Sequence, residues 1–185
     1  FTWLVVMIAA YSLILIPMGS LLPLMIFAYF EKGAWEAGMV ESVWAAGMVV
    51  GSFVLGMTGA TKNRIYTLSA AALVIGATTL CAGLLSKDGF ILFAVLTAAM
   101  GLATPFYNVY IAIFQSRIAP EYLGRVMSII NSSAVLATPL GLAIAGVTPD
   151  TVGRHKWFAI SGILMCVIAL LFAGVLSVRN TDSGR

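Results

Sequence analysis

The sequence predicts an all-α integral membrane protein that crosses the bilayer six times. Only 9% of the 185 residues are charged and 61% are hydrophobic, whereas soluble domains carry about 25% charged residues. The apolar residues form six runs of the length that a helix needs to cross a bilayer. Strands of a membrane barrel would be shorter and would alternate polar with apolar residues, which these runs do not. The solvent around most of the chain is therefore predicted to be lipid.

The predicted spans leave every Asp, Glu, Lys and Arg outside them except Glu41. They form one transmembrane bundle over residues 1–178, followed by a short tail at 179–185. Backbone groups in lipid must be paired within their own segment, so each run is expected to be a helix. The spans are residues 3–30, 37–60, 65–85, 90–113, 126–147 and 157–178.

The distribution of Lys and Arg predicts that both ends of the bundle are cytoplasmic. The connections after the second and fourth spans, together with the tail, hold six basic residues, and the other connections hold four together with most of the acidic residues. Cytoplasmic connections carry the excess of Lys and Arg. The chain begins Phe1-Thr2-Trp3 without a Met or a signal-peptide pattern. We therefore expect a bundle that lacks an amino-terminal partner.

Prolines suggest that the six spans form two inverted three-helix repeats. Pro17 and Pro23 lie in the first span and Pro105 lies in the fourth, so an interrupted helix opens each unit. Inverted repeats with broken helices are typical of secondary transporters. The alternative is that proline is simply common in membrane helices.

Small residues mark predicted helix contacts in the second and fifth spans. Gly47 and Gly51 are four residues apart and share a helix face, and Gly141 lies on a small face of the fifth span. Small residues let helices approach closely in lipid, where packing drives association. These glycines are predicted to serve packing.

Polar residues inside the spans are the candidates for a substrate cavity. Three of them, Thr104, Asn108 and Gln115, follow one stripe of the fourth span, which Tyr107 flanks, and polar groups that face lipid are costly. The stripe therefore either forms hydrogen bonds between helices or lines a cavity. Glu41 is expected near the outer surface, where it could line the mouth of a cavity. The candidates are Thr104, Tyr107, Asn108, Gln115, Asn131 and Glu41.

The sequence predicts neither an enzyme nor a metal or cofactor site. The single histidine, His155, has no cluster of Cys or carboxylate residues beside it, and no phosphate-binding glycine loop precedes a lysine. Cys81 and Cys166 lie inside apolar runs and are expected to be buried hydrophobic residues rather than a disulfide or metal pair. The basic residues are spread over short connections, which argues against nucleic acid.

The stretch from residue 101 to residue 126 resembles the major facilitator superfamily. Gly101-Leu102-Ala103-Thr104-Pro105-Phe106-Tyr107-Asn108 is followed by Gln115 and then by Pro120-Glu121-Tyr122-Leu123-Gly124-Arg125-Val126. The pattern is similar to the branch of bacterial macrolide-efflux proteins and enterobactin exporters. Physically, Pro120 can start a helix, Glu121 favours its positive end, and Gly124 permits close approach.

The resemblance implies that the chain is the carboxy-terminal six-helix half of such a transporter in a bacterial inner membrane. It implies export of a small amphipathic organic molecule, drug-like or a siderophore, by alternating access, with proton antiport as the usual driving force. The partners would be the bilayer, the substrate and the missing half or a second copy of the chain. Two alternatives stay open: a non-transporting bundle, such as a sensor or assembly subunit, and a half-transporter acting as a homodimer.

Two cytoplasmic connections are the candidates for gating at the inner face. The loop from Gly56 to Arg64 is similar in position to the family's Gly-x-x-x-Asp-Arg-x-Gly-Arg loop, but Ala60 stands where the family has an aspartate. The departure puts a charge-relay role for this loop in doubt. The gating candidates are Lys62, Arg64, Pro120, Glu121, Gly124 and Arg125.

Overall fold

The computed structural model describes residues 2–59, 64–147 and 154–182, and the described chain is helical throughout apart from its connections. The first helix, α1, ends in a π-helical turn at Met25–Tyr29. The helices are α1 Thr2–Leu24, α2 Ala34–Thr58, α3 Arg64–Gly83, α4 Phe90–Tyr107, α5 Val109–Arg117, α6 Pro120–Val147 and α7 Arg154–Asp182.

Membrane-length apolar helices confirm the all-helical membrane prediction in its general form. Within the described residues, four helical stretches are long and apolar enough to cross a bilayer: Ala34–Thr58, Arg64–Gly83, Phe90–Ser116 and Lys156–Gly174. The backbone is also helical across the predicted first and fifth spans, in α1 and α6. The last helix continues to Asp182, into the predicted tail.

The fourth predicted span is interrupted, in agreement with the interruption predicted from Pro105. It is divided at Asn108 into α4 and α5. Pro105 has no backbone N–H to give to the preceding turn, and the chain tightens behind it. The Asn108 N–H lies 3.0 Å from the Thr104 carbonyl, and the Ile111 N–H reaches only three residues back, to Asn108.

The helices pack in a small number of pairs. α2 lies mainly against α4, α3 lies against α7 and α4, and α1 lies against α6 and α7. Two buried clusters fill the interior. One is centred on Tyr11, Ile75 and Phe114, and the other, near the opposite end of α1, is centred on Ile26, Phe93 and Phe158.

Glycines set the closest helix approaches. At the α3–α7 crossing, a Cβ added to Gly83 would collide with the backbone of Ala159, and one added to Gly162 would collide with the backbone of Leu80. Since Gly76 meets Cys166 further along α7, the two helices run antiparallel. Backbone-to-backbone contact of this kind is how helices associate where lipid surrounds them.

The outer surface of the bundle is apolar. Trp35 is 83% exposed and Ile91 is 80% exposed, and they lie among many other exposed large hydrophobic side chains. Contiguous apolar surface on this scale is unusual for a protein in water. It is the surface expected where acyl chains are the solvent.

Candidate functional site

The polar stripe of the fourth span lies at the break between α4 and α5. Asn108 occupies the break with helical backbone angles, and its side chain is exposed on the bundle. Gln115, two turns further along α5, is exposed as well. Thr104 is half-buried and donates its hydroxyl hydrogen to the Met100 carbonyl at 2.8 Å, so its polar group is satisfied within α4. The α4–α5 span therefore has two exposed amide side chains, one at the break and one two turns from it.

Tyr107 turns away from this surface and into the bundle. It is 2% exposed, and its ring centroid lies 4.8 Å from that of Tyr11 in α1. Its hydroxyl is 3.5 Å from the Ser12 hydroxyl, at the limit of hydrogen-bond distance. Tyr107, which flanks the predicted stripe, thus makes an inward contact between helices, whereas the two amides of the stripe are exposed.

Tyr11 and Ser12 are buried polar residues that the sequence reasoning did not single out. The Tyr11 hydroxyl donates to the Ala72 carbonyl of α3 at 2.7 Å. Together with the ring contact to Tyr107, this joins α1 to both α3 and α4. The signal was present in the sequence, since Tyr11-Ser12 is an adjacent polar pair inside an otherwise apolar run.

The other two cavity candidates are exposed on helices flanking this region. Asn131 is exposed on α6, and Glu41 is exposed on α2, two turns from the start of that helix. The hydrogen-bonded core of the bundle therefore holds Tyr107, and the surface holds Asn108, Gln115 and these two residues.

The inner-loop candidate Arg64 is the first residue of α3 and reaches α5. Its Nη1 lies 3.4 Å from the Ala112 carbonyl and 3.5 Å from the Ser116 hydroxyl, so both are long hydrogen bonds. A cation near the carboxyl end of a helix is favoured by the helix dipole. Lys62, its predicted companion, lies outside the described residues.

The Pro-Glu-x-x-Gly-Arg turn forms the start of α6. Pro120 is the first helical residue, where the N–H that proline lacks would have no partner in the helix. Glu121 lies in the first turn, where the positive end of the helix dipole favours a carboxylate. Gly124 and Arg125 follow, and all four residues are exposed. A Cβ added to Gly124 would meet nothing within 4 Å in the described chain. The close approach expected at Gly124 is therefore not a contact within the described part of these helices.

The predicted packing glycines have different surroundings. A Cβ on Gly47 would lie 2.5 Å from the Ala98 carbonyl oxygen, and one on Gly51 would collide with the Leu102 carbonyl. Gly101 of α4 faces the Trp44 backbone in the same way, so the α2–α4 crossing has glycine on both helices. Gly141 lies within α6, and its surroundings are outside the described side chains.

The fold and these exposed amides define a multi-pass helical membrane protein with polar groups on a broken, membrane-length helix. No protein-family model matches the chain. It is 36% identical over 173 residues to macrolide efflux protein A of Streptococcus pyogenes, a match that covers 93% of this chain and 43% of that protein. It is 30% identical over 131 residues to the multidrug efflux pump Tap of Mycobacterium bovis, covering 70% of this chain and 30% of the pump.

A third relative carries the family name. Over 142 residues the chain is 30% identical to an uncharacterized MFS-type transporter of Bacillus subtilis, covering 73% of this chain and 33% of that protein. The chain belongs to the major facilitator superfamily. It spans less than half the length of the macrolide efflux relative.

Proposed function

We propose that the chain forms the carboxy-terminal half of an exporter that moves a small amphipathic organic molecule by alternating access. The observation that carries the proposal is the pair of exposed amides on one span of membrane length, Asn108 at its helix break and Gln115 two turns further along. An amide that faces acyl chains is costly. The amides are accounted for if this surface faces a water-filled cavity completed by a second set of helices.

The packing of the helices supports an inverted three-plus-three repeat. In such a repeat α1 corresponds to α4–α5, α2 to α6, and α3 to α7. The α2–α4 contact then corresponds to the α6–α1 contact, and both contacts are present. The same correspondence turns α3–α4 into α7–α1 and leaves α3–α7 unchanged, and these contacts are also present. Transporter halves built from two inverted units have this property.

The repeat assigns surfaces to the helices. α3 and α7 would form the lipid-facing side, and α1, α2, α4–α5 and α6 would line the cavity with Asn108, Gln115, Asn131 and Glu41. Both chain ends would be cytoplasmic, with Arg64 and the Pro120–Arg125 turn at the inner face. Arg64 would act there through the Ala112 carbonyl and the Ser116 hydroxyl.

The class of substrate is proposed from the relatives. The names macrolide efflux protein A and multidrug efflux pump describe those proteins, and they favour a drug-like molecule over a siderophore for this chain. Coupling to a proton gradient is proposed from the family, with the coupling carboxylates placed in the other half. Uncharged amides at the site fit a large, mostly apolar molecule that needs a few hydrogen bonds.

Transport in reconstituted vesicles tests the proposal. The chain, joined to the amino-terminal half of the Streptococcus pyogenes relative, should move a macrolide when a proton gradient is imposed, in the direction opposite to the proton flow. Asn108→Leu and Gln115→Leu should each lower the flux, whereas Asn108→Gln, which keeps the amide, should retain most of it. Wild-type flux in both leucine variants would contradict the proposed cavity face.

The same preparation separates the alternatives. Flux by the chain alone, with dimers in native mass spectrometry, would favour a homodimeric half-transporter. Absence of flux in the joined protein, when helical content and monodispersity are normal, would favour a non-transporting bundle.

A further inference from the structure

The turn that follows α1 has an unusual backbone. The Phe30 N–H donates to the Met25 carbonyl, and the Lys32 N–H donates to the Ile26 carbonyl, each at 3.1 Å. These bonds span five and six residues, so the helix widens before it ends. Glu31 then adopts a φ of 54°, in the left-handed region that usually holds glycine at the end of a helix. The backbone conformation at this position would favour glycine, so the presence of a glutamate must be explained by its side chain.

The side chains of the turn provide that explanation. Glu31 forms an ion pair with Lys87 at 2.8 Å, and Tyr29 donates its hydroxyl hydrogen to the Leu85 carbonyl at 2.7 Å. Leu85 and Lys87 both belong to the connection between α3 and α4. The left-handed turn therefore carries a carboxylate that glycine could not supply to that connection.

Aromatic contacts strengthen the same junction. The Phe30 ring lies 5.0 Å from the Phe93 ring and 5.7 Å from the Phe90 ring, centroid to centroid. The Lys32 ammonium lies 5.7 Å from the centroid of Phe90, within the range of a cation–π interaction. The end of α1 is thus held by an ion pair, a hydrogen bond and packed rings, all on the α3–α4 connection or the start of α4.

The middle of α1 is weaker than either of its ends. Pro17 and Pro23 have no backbone N–H, so two helical hydrogen bonds are missing within two turns. Gly19 lies between them, and a Cβ there would meet nothing within 4 Å in the described chain. The π-helical turn follows Pro23 almost at once. At the other end, Tyr11 fastens α1 to α3 through the Ala72 carbonyl.

We propose that residues 29–32 are a latch that fastens the end of α1 to the α3–α4 connection, and that residues 17–24 are the hinge about which this end swings when the latch opens. The hinge lies between the latch and the Tyr11 attachment, so opening the latch lets the end of α1 swing while Tyr11 keeps the rest of the helix on α3. Sharp helix kinks are found at proline and at π-bulges, and π-bulges are frequent at functional sites. The use of this motion in alternating access rests on the proposed function; the latch itself does not.

Hydrogen exchange of the purified protein in lipid nanodiscs, with the chain joined to the amino-terminal half of the Streptococcus pyogenes relative, tests the latch. Lys87→Glu replaces the ion pair by a repulsion, and Glu31→Lys combined with Lys87→Glu restores it with the charges exchanged. Because the pair is exposed, Lys87→Glu should raise exchange of the amides of residues 25–32 by about twofold to fivefold. The double variant should return exchange to the wild-type rate, and Lys156→Glu, the same change on α7, should leave it unaltered.

Glu31→Gly distinguishes a latch from a simple helix end. Glycine relaxes the left-handed backbone but removes the carboxylate, so the latch predicts faster exchange, and a simple helix end predicts equal or slower exchange. Equal exchange in Lys87→Glu and wild type, or failure of the double variant to restore protection, would overturn the proposal. Because the readout is exchange, loss of macrolide flux in the joined protein would count against the proposed function and leave this result standing.

Discussion

Gly51 at the α2–α4 crossing offers a direct test of how the bundle is held together. In Gly51→Ala the new Cβ would collide with the Leu102 carbonyl oxygen and lie 3.1 Å from the Leu102 Cα. Both are backbone atoms and cannot rotate away, so the helices must separate by roughly 1 Å to regain ordinary contact. Overpacking of this kind costs about 1–3 kcal/mol, offset by about 0.5–1 kcal/mol from replacing a helical glycine.

The matched control lies on the same helix. A Cβ on Gly56 would meet nothing within 4 Å in the described chain, so Gly56→Ala should keep only the favourable helix effect. The helix effect is common to both variants, so the overpacking cost of about 1–3 kcal/mol is what separates them. Thermal unfolding in mild detergent should show Gly51→Ala melting roughly 2–12 °C below Gly56→Ala, at about 2–4 °C per kcal/mol. Equal melting temperatures for the two variants would mean that the crossing is looser than the structure has it, and the reasoning would fail.

Three further changes have defined outcomes. Tyr11→Phe removes the hydrogen bond to the Ala72 carbonyl and should lower stability by about 0.5–1.5 kcal/mol in detergent unfolding; an unchanged midpoint would contradict that bond. Arg64→Ala should lower macrolide flux in the joined protein while stability changes by less than about 1 kcal/mol, because its hydrogen bonds are long and exposed; unchanged flux would remove Arg64 from the gate. Lys87 lowers the pKa of Glu31 by hydrogen bonding, and Glu31 raises the pKa of Lys87. Protection of the turn from exchange should therefore be lost as pH falls through the lowered glutamate pKa, and again as pH rises through the raised lysine pKa. Exchange rates corrected for their intrinsic pH dependence would show no change with pH if the pair were unimportant.

Much of the helical framework could be predicted from the sequence, because a bilayer imposes a length and a polarity on each span. The third span was predicted at residues 65–85, and α3 runs Arg64–Gly83. The position of the break at Asn108 could not be predicted from the sequence. A proline identifies the backbone hydrogen bond that is lost, but it does not identify the residue at which the helix then tightens. Periodicity placed Thr104, Asn108 and Gln115 on one face, but burial then depended on which helices lie beside them.

Partners across helices were the least predictable part of the site. Nothing in the run around Tyr11 indicates that its hydroxyl meets Ala72, and Gly47 and Gly51 do not identify Gly101 as the opposing glycine. Such pairs depend on the rotation of each helix about its axis, which a hydrophobic run does not fix when lipid and protein interior are equally apolar.

Arg64, at the proposed inner face, illustrates how a departure in sequence alters the contacts available to a neighbouring residue. Ala60 occupies the position at which the resembled loop has an aspartate, so Arg64 has no carboxylate there to pair with. In the structure its guanidinium reaches a backbone carbonyl and a hydroxyl of α5 instead. Neutral acceptors hold a cation less firmly than a carboxylate does. A contact of this strength can be broken and remade easily, which suits the gating role proposed for Arg64.

The way each helix is attached then separates the rigid parts of the bundle from the mobile one. α2 with α4, and α3 with α7, meet backbone to backbone at glycines, and such contacts cannot slide without steric collision. α1 has no crossing of that kind in the described chain. It is attached near one end through Tyr11 and at the other through the turn at Glu31, with two prolines between. If a helix moves while the two glycine pairs stay fixed, it is one that lies outside them, and the end of α1 suits such motion because its fastening at Glu31 and Tyr29 consists of side-chain contacts that can open singly.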